Sequence, residues 1–312
     1  MNRSIVTGGA GFIGSSLVRA LLAAGHRVDV IDNLSTGKLD NLEEVADQIT
    51  VYEYDLCDYE QIAPVIAGAQ RVFHLGAIPS VPKSILDPLP SHNSNINGTF
   101  NVFRASAEGK VGRVVYAASS SAYGDTEVLP KVETMTPRPK SPYAVQKLLG
   151  EYYASVFADC FGLETVSLRF FNVFGPRQDP TSPYSGVLSV FMKCALESRS
   201  PTIFGDGTQS RDFTYVEDVV GLLMKAADAP AKVVSGKVYN AGNGGRFTLN
   251  ETWELLQQIA GVKLAAKYAA PRAGDVKDSQ ADTTAARRDL GHAARFTFEE
   301  GLRRTLEWYR DS

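Results

Sequence analysis

The chain has little of what a metalloprotein, a disulfide-stapled secreted protein or a membrane protein needs. Its three cysteines, Cys57, Cys160 and Cys194, are an odd, scattered set without metal-ligand spacing. Such thiols read as idle or structural groups in a reducing, cytoplasmic setting. The four histidines are equally dispersed, and no metal site is expected. His74, inside Arg71-Val72-Phe73-His74-Leu75, reads as a packed strand end. No apolar run reaches the roughly 20 residues that span a bilayer. Met1-Asn2-Arg3 leads straight into a strand and not a signal peptide. Neither sign of charge dominates: a formal net charge of -3 gives no reason to expect nucleic acid or an anionic membrane as partner. Repeats and low-complexity tracts are absent. With 312 residues, 44% of them hydrophobic, the chain has ample core for one large or two interlocked globular units.

What it does have is glycine at chosen places. Ser4-Ile5-Val6-Thr7 reads as a short buried strand, and the stretch Thr7-Gly8-Gly9-Ala10-Gly11-Phe12-Ile13-Gly14 turns it into a helix from Phe12 to Ala24. The spacing Gly8-x-x-Gly11-x-x-Gly14 lets the backbone approach a pyrophosphate and aims a helix N-terminus at it. A second strand, Arg27 to Asp32, ends in an acid 18 residues past the last glycine. That is near the ~20 expected of a carboxylate on the adenosine ribose hydroxyls. Asp32 would repel a 2′-phosphate, which favours NAD over NADP.

Strands are expected at Thr50 to Leu56, with Asp55 and Leu56 placed to meet the adenine, and at Arg71 to Leu75, opening on Gly76-Ala77. A Pro- and Ser-rich loop (Ile78 to Pro90) and a helix (Asn93 to Ala107) follow. The strand Arg113 to Ala117 delivers Ser119; a helix from Tyr143 to Phe161 and a strand from Glu164 to Arg169 come next. This rhythm predicts an α/β fold, a Rossmann-like doubly wound parallel sheet with ligands at the carboxyl ends of its strands. Past Phe171 the alternation fails, leaving helices near 187–197 and 216–227 and a strand at 238–240. The expected division is an NAD-binding unit over 1–172, with a returning segment near 212–243, and an interleaved, smaller substrate-binding unit over 173–312.

Tyr143 and Lys147 stand four apart and share one helix face. Taken alone, they are two neighbours on a solvated helix. Beside the glycine loop and the stretch Ala118-Ser119-Ser120-Ser121-Ala122-Tyr123-Gly124, they read as chemistry. A free phenol titrates near ~10; a cation a few ångströms away favours the phenolate and pulls that value toward 7. The pair could take a proton from a sugar hydroxyl and return it.

Seven ordered stretches then resemble one family, the extended short-chain dehydrogenase/reductases, and within it the nucleotide-sugar 4-epimerases. They are the glycine loop, Asp32-Asn33-Leu34-Ser35-Thr36-Gly37, the serine run 119–121, Tyr143/Lys147, Arg169-Phe170-Phe171-Asn172-Val173-Phe174-Gly175-Pro176-Arg177-Gln178, Gly205-Asp206-Gly207-Thr208-Gln209-Ser210-Arg211-Asp212-Phe213, and Arg272-Ala273-Gly274-Asp275-Val276. The branch it is most similar to is the UDP-N-acetylglucosamine 4-epimerases. One departure is Gly76, where the family usually has alanine.

The resemblance implies that Tyr143 removes the proton of the sugar 4-hydroxyl while the C4 hydride passes to a retained NAD and returns to the opposite face. Ser119 would orient the 4-oxygen, and Lys147 would grip the nicotinamide ribose. By the same resemblance the cofactor meets Gly8, Gly11, Phe12, Ile13, Asp32, Asn33, Ser35, Thr36, Gly37, Asp55, Leu56, Leu75, Ala77, Tyr143, Lys147 and Phe170. The UDP-sugar meets Ser80, Lys83, Ser119, Ser120, Ser121, Tyr143, Asn172, Gln209, Arg211, Arg272, Asp275 and Ser279. Arg211 and Arg272 match a diphosphate because their planar guanidinium groups bind it in two-pronged fashion. Related dehydratases and decarboxylases carry carboxylates where this chain has Ser120 and Ser121, so epimerisation is what remains. A small Ser279 in the sugar wall implies room for an acetamido group, hence UDP-GlcNAc and UDP-GalNAc, with UDP-Glc and UDP-Gal alongside. The alternatives are UDP-glucuronate 4-epimerisation and a non-catalytic NAD-sensing protein; the latter would have lost one of Ser119, Tyr143 or Lys147. The family also implies a homodimer, with 93–107 and 143–161 as candidate contact helices.

Overall fold

The computed structural model describes residues 2–179, 186–271 and 276–311. Six strands build the first part of the sheet: β1 (Arg3–Thr7), β2 (Arg27–Ile31), β3 (Ile49–Tyr52), β4 (Arg71–His74), β5 (Arg113–Ser119) and β6 (Glu164–Phe170). A seventh, Lys237–Ala241, returns from the second half of the chain to pair with β6, giving the order Lys237–Ala241, β6, β5, β4, β1, β2, β3. Every pairing is parallel. Such a sheet buries both faces, and its strands read as apolar runs for that reason. Neighbours in sequence point opposite ways: Val6, Phe73 and Val115 join one core, while Ile5, Val72 and Val114 join the other. The first core takes Leu17 and Val18 of α1 (Phe12–Ala23) and continues into Phe191, Trp253 and Leu302 of the second half. The second takes Ile62 of α2 (Tyr59–Ile66), Phe103 of the helix Thr99–Glu108 and Phe157 of the helix Pro142–Phe161.

Strand order reverses between β1 and β4, so the loops after these strands part and leave a crevice at their carboxyl ends. Opposite it the later residues form two-stranded pairs. Asn172–Phe174 runs parallel to Phe213–Tyr215, Thr202–Phe204 parallel to Lys267–Ala269, and Ser210–Arg211 antiparallel to Phe247–Thr248.

Two expectations need correction. The stretch 78–90 is not one loop: short helices occupy Val81–Leu86 and Pro88–His92. Ser80 and Asp87 cap them, accepting from Lys83 N (3.2 Å) and Leu89 N (3.3 Å), and the prolines sit in the first turn, where no N–H is needed. The third strand stops at Tyr52, leaving Asp55 and Leu56 in the loop beyond it. No described helix is long and apolar enough to cross a membrane.

Candidate active site

The crevice is a cavity of about 1090 Å³ whose floor is the glycine loop. Gly8 sits at φ +70°, and a Cβ there would lie 2.7 Å from Gly76 N. A Cβ on Gly14 would lie 2.1 Å from Gly8 O, so the loop folds only with bare backbone at both points. Asp32 closes the next wall. Its carboxylate accepts from Ala10 N and Leu34 N, each at 2.9 Å, which fixes the loop that follows β2. Asn33 Nδ2 donates to Asp55 Oδ2 (2.8 Å), and Ser35, Thr36, Leu56, Leu75 and Ala77 complete this end.

At the other end Ser119 terminates β5, and Tyr143 and Lys147 rise from the first turns of the helix Pro142–Phe161. Ser141 caps that helix, accepting from Ala144 N at 3.2 Å, with Pro142 at its start. The Ser119 hydroxyl lies close enough to the Tyr143 phenol to favour its ionised form, and Ser121 Oγ donates to Ser119 Oγ at 2.8 Å. Lys147 Nζ donates to Ala117 O at 2.8 Å and lies 5.1 Å from the centre of the Tyr116 ring. Phe170 and Asn172, ending β6 and starting the next strand, face the same cavity, as do Ser80 and Lys83.

Burial sets the protonation of this pair. It pushes the Lys147 ammonium down to about 7. It also pushes the Tyr143 phenol up, and the nearby Ser119 hydroxyl only partly opposes that rise. The expectation that Lys147 draws the phenol toward 7 is therefore corrected: Lys147 Nζ donates its hydrogen bond to the Ala117 carbonyl, and desolvation of the phenol outweighs the help from Ser119. His74 is held between Thr7 Oγ1 (2.7 Å) and Thr99 Oγ1 (2.9 Å), and burial, with Lys147 nearby, pushes its imidazole down to about 3. It is a neutral strut under the glycine loop.

Several positioning groups escaped the sequence reading. Asn95, in a widened helical turn at Asn93–Gly98, accepts from Ile78 N (2.8 Å) and donates to Gln146 Oε1 (2.9 Å), tying the loop after β4 to the Tyr143 helix. Glu151, one helical turn past Lys147, forms a buried ion pair with Arg169 of β6 at 2.7 Å. Arg177, Trp308 and Tyr309 also line the cavity. Arg177 lies inside a quoted motif; the two aromatics, near the end of the chain, carry no local signal.

Other expected site residues lie elsewhere. Gly37 packs against Ala10 and Asp32 behind the wall. Ser120 and Ser121 stand beside Ser119 outside the lining. Gln209 lines a second cavity of about 830 Å³, with Phe204, Tyr268 and Lys277. Arg211 Nη1 donates to Ser210 O and Lys277 O, both at 2.9 Å. Ser279 Oγ accepts from Asp212 N at 3.3 Å, and its side chain lines neither cavity. Arg272 and Asp275 lie outside the described residues.

Residues 4–242 match the NAD dependent epimerase/dehydratase family. The chain belongs to that family. A UDP-glucose 4-epimerase of Mycolicibacterium smegmatis is 35% identical, with 99% of each chain covered. Among solved structures, a UDP-N-acetylglucosamine 4-epimerase from Methanobrevibacter ruminantium M1, in complex with UDP-N-acetylmuramic acid, superposes with a TM-score of 0.94 at 36% identity, covering 99% of this chain and 98% of that one. A UDP-glucose 4-epimerase from Thermotoga maritima, with UDP-glucose, gives 0.94 at 37%, covering 99% of each. NAD is the cofactor of this family, and the cleft fits it: a glycine cradle that any Cβ would fill, a helix N-terminus behind it, and the buried Asp32 carboxylate 18 residues on.

Proposed function

We propose that this chain is a UDP-hexose 4-epimerase that interconverts UDP-GlcNAc and UDP-GalNAc, and UDP-Glc and UDP-Gal as well. The observation that carries the reading is the meeting of the Ser119 and Tyr143 hydroxyls beside Lys147 in the dinucleotide cleft, with only hydroxyls at 120 and 121. Dehydration or decarboxylation calls for a further acid or base at that point; turning a ketone over between two hydride transfers does not. NAD, when bound, supplies the hydride acceptor and a positive charge beside the buried phenol. Tyr143 then takes and returns the proton of the sugar 4-hydroxyl. Ser119 holds the 4-oxygen, and Lys147, fixed on the Ala117 carbonyl, holds the nicotinamide ribose.

The second cavity suits the uracil. Phe204 offers an apolar face there, and the paired strands Thr202–Phe204 and Lys267–Ala269 offer backbone groups. Asn172 N donates to Asp212 O at 3.1 Å, so the segment Gln209–Asp212 joins this cavity to the first, with Arg211 between them for a diphosphate. A homodimer is supported by Val145, Tyr152 and Val156, which are 43%, 54% and 48% exposed and recur along one face of the helix Pro142–Phe161.

Incubation with UDP-GlcNAc and no added cofactor should yield UDP-GalNAc at equilibrium, and Tyr143→Phe should lose about 10²–10⁴ of the rate. Full turnover by Tyr143→Phe would sink the proposal. Preferential conversion of UDP-glucuronate would reassign the substrate, and release of NADH with an oxidised sugar would indicate a dehydrogenase.

A further inference from the structure

The turn Gly175–Asp179 carries Arg177, whose guanidinium hydrogen-bonds Ser16 and forms no ion pair among the described residues. Arg177 sits at φ +68°, a left-handed conformation that any residue with a Cβ adopts only under constraint. The turn is held there from both sides: Tyr309 Oη donates to Gln178 O, and Asp179 pairs with Lys38 at 2.9 Å. Held so, the guanidinium leans on the start of α1, with Nη2 donating to Ser16 Oγ at 3.2 Å. Its Nε is buried and has no hydrogen-bond partner among the described residues. Arg19, the nearest other cation, is engaged by Glu44 Oε2 (3.0 Å) and by the carbonyls of Ser15 and Asn41. Burial and that neighbouring charge push Arg177 down, against the weaker pull of Glu44, Tyr215 and Glu217. A half-buried guanidinium that lines the cleft beside a helix N-terminus, gripped by the neutral Ser16 hydroxyl, is arranged for a multivalent anion.

We propose that Arg177 is a ligand of the dinucleotide diphosphate, adding a cation to the cradle that the glycine loop makes from backbone alone. The contact with Ser16 ties Arg177 to the cofactor's helix; Arg211, beside the second cavity, is the counterpart for the diphosphate of UDP. This inference rests on the cleft being the NAD site.

The test is binding, measured by titration calorimetry on protein stripped of cofactor, for wild type, Arg177→Lys and Arg177→Gly. Glycine adopts φ +68° freely, so that variant keeps the turn while deleting the guanidinium. Arg177→Gly should bind NAD and ADP-ribose about 10- to 100-fold more weakly, by the same factor for both, with Arg177→Lys intermediate. Its affinity for UDP should stay within twofold of wild type. Unchanged NAD affinity, or an equal loss for UDP, would overturn the role given to Arg177. Failure of the wild type to bind NAD would instead overturn the placing of the cofactor in this cleft.

Discussion

Lys147, which lines the cleft, is held buried by the folded chain at the expense of stability. Its side chain is 4% exposed, and burial lowers its pKa from 10.5 to about 7. At about 1.36 kcal/mol per unit, keeping that side chain inside at pH 7 costs roughly 4–5 kcal/mol relative to the unfolded chain. Lys147→Met keeps the stem and removes the charge. It also gives up the bond to Ala117 O, which contributes about 1 kcal/mol. The expected net gain is about 3 kcal/mol for the cofactor-free protein. Over 312 residues, an unfolding entropy of about 2.1 cal/mol/K per residue makes that a rise of roughly 5 °C in Tm. The sign with pH is definite. Between 7 and 10.5 the unfolded chain binds a proton that the folded chain has shed, so wild-type stability climbs through this window and the advantage of the variant shrinks by about 1.4 kcal/mol per unit. Thermal melts at pH 7, 8 and 9 on stripped protein read this directly, while epimerase activity should fall by at least about 10². A variant less stable than wild type at pH 7, with parallel pH curves, would refute the reasoning.

Three further outcomes are expected. Arg169→Met leaves the Glu151 carboxyl buried without its partner and should destabilise by about 3–5 kcal/mol. The loss should be larger at pH 8 than at pH 5, because burial already raises the Glu151 pKa and the unpaired acid is tolerated only when protonated. The double variant Glu151→Leu/Arg169→Met should recover part of it, and strictly additive losses in denaturant melts would disprove the coupling. Ser279→Tyr should suppress turnover of N-acetylated sugars more than that of UDP-Glc; equal activity on both would remove Ser279 as a gate. Tyr152→Glu with Val156→Glu should convert a dimer to monomer in light scattering, and an unchanged mass would exclude this helix face from the contact.

What was legible in the sequence is what local geometry encodes. The Gly8, Gly11 and Gly14 spacing, the acid at Asp32 and the four-residue step from Tyr143 to Lys147 depend on neighbours within one turn or one βαβ unit. All of these line the one cleft, Gly14 packed closely against Gly8. The helices at 81–92 were hidden because a Pro- and Ser-rich composition reads as loop, whereas after a capping Ser80 or Asp87 proline starts a helix. The titration of Tyr143 was misread for a different reason. A sequence shows that a tyrosine and a lysine share a face, but not how far water is excluded from them. That depends on β5 carrying Ala117 and Tyr116 beneath the helix, and on Gly150, where a Cβ would lie 2.3 Å from the Tyr116 hydroxyl.

The same distinction explains why Arg177 looked like one more letter in a motif. Its partner Ser16 lies 161 residues away, and the turn that aims it is held by Tyr309 near the other end of the chain. The family motifs record which residues meet the ligands; what surrounds each one decides how it titrates and what it can grip. In this chain desolvation dominates at both places, lowering Lys147 and Arg177 alike and raising the Tyr143 phenol. On the proposed reading, the positive charge of a bound NAD would favour the phenolate, and proton transfer would then be coupled to the group that accepts the hydride.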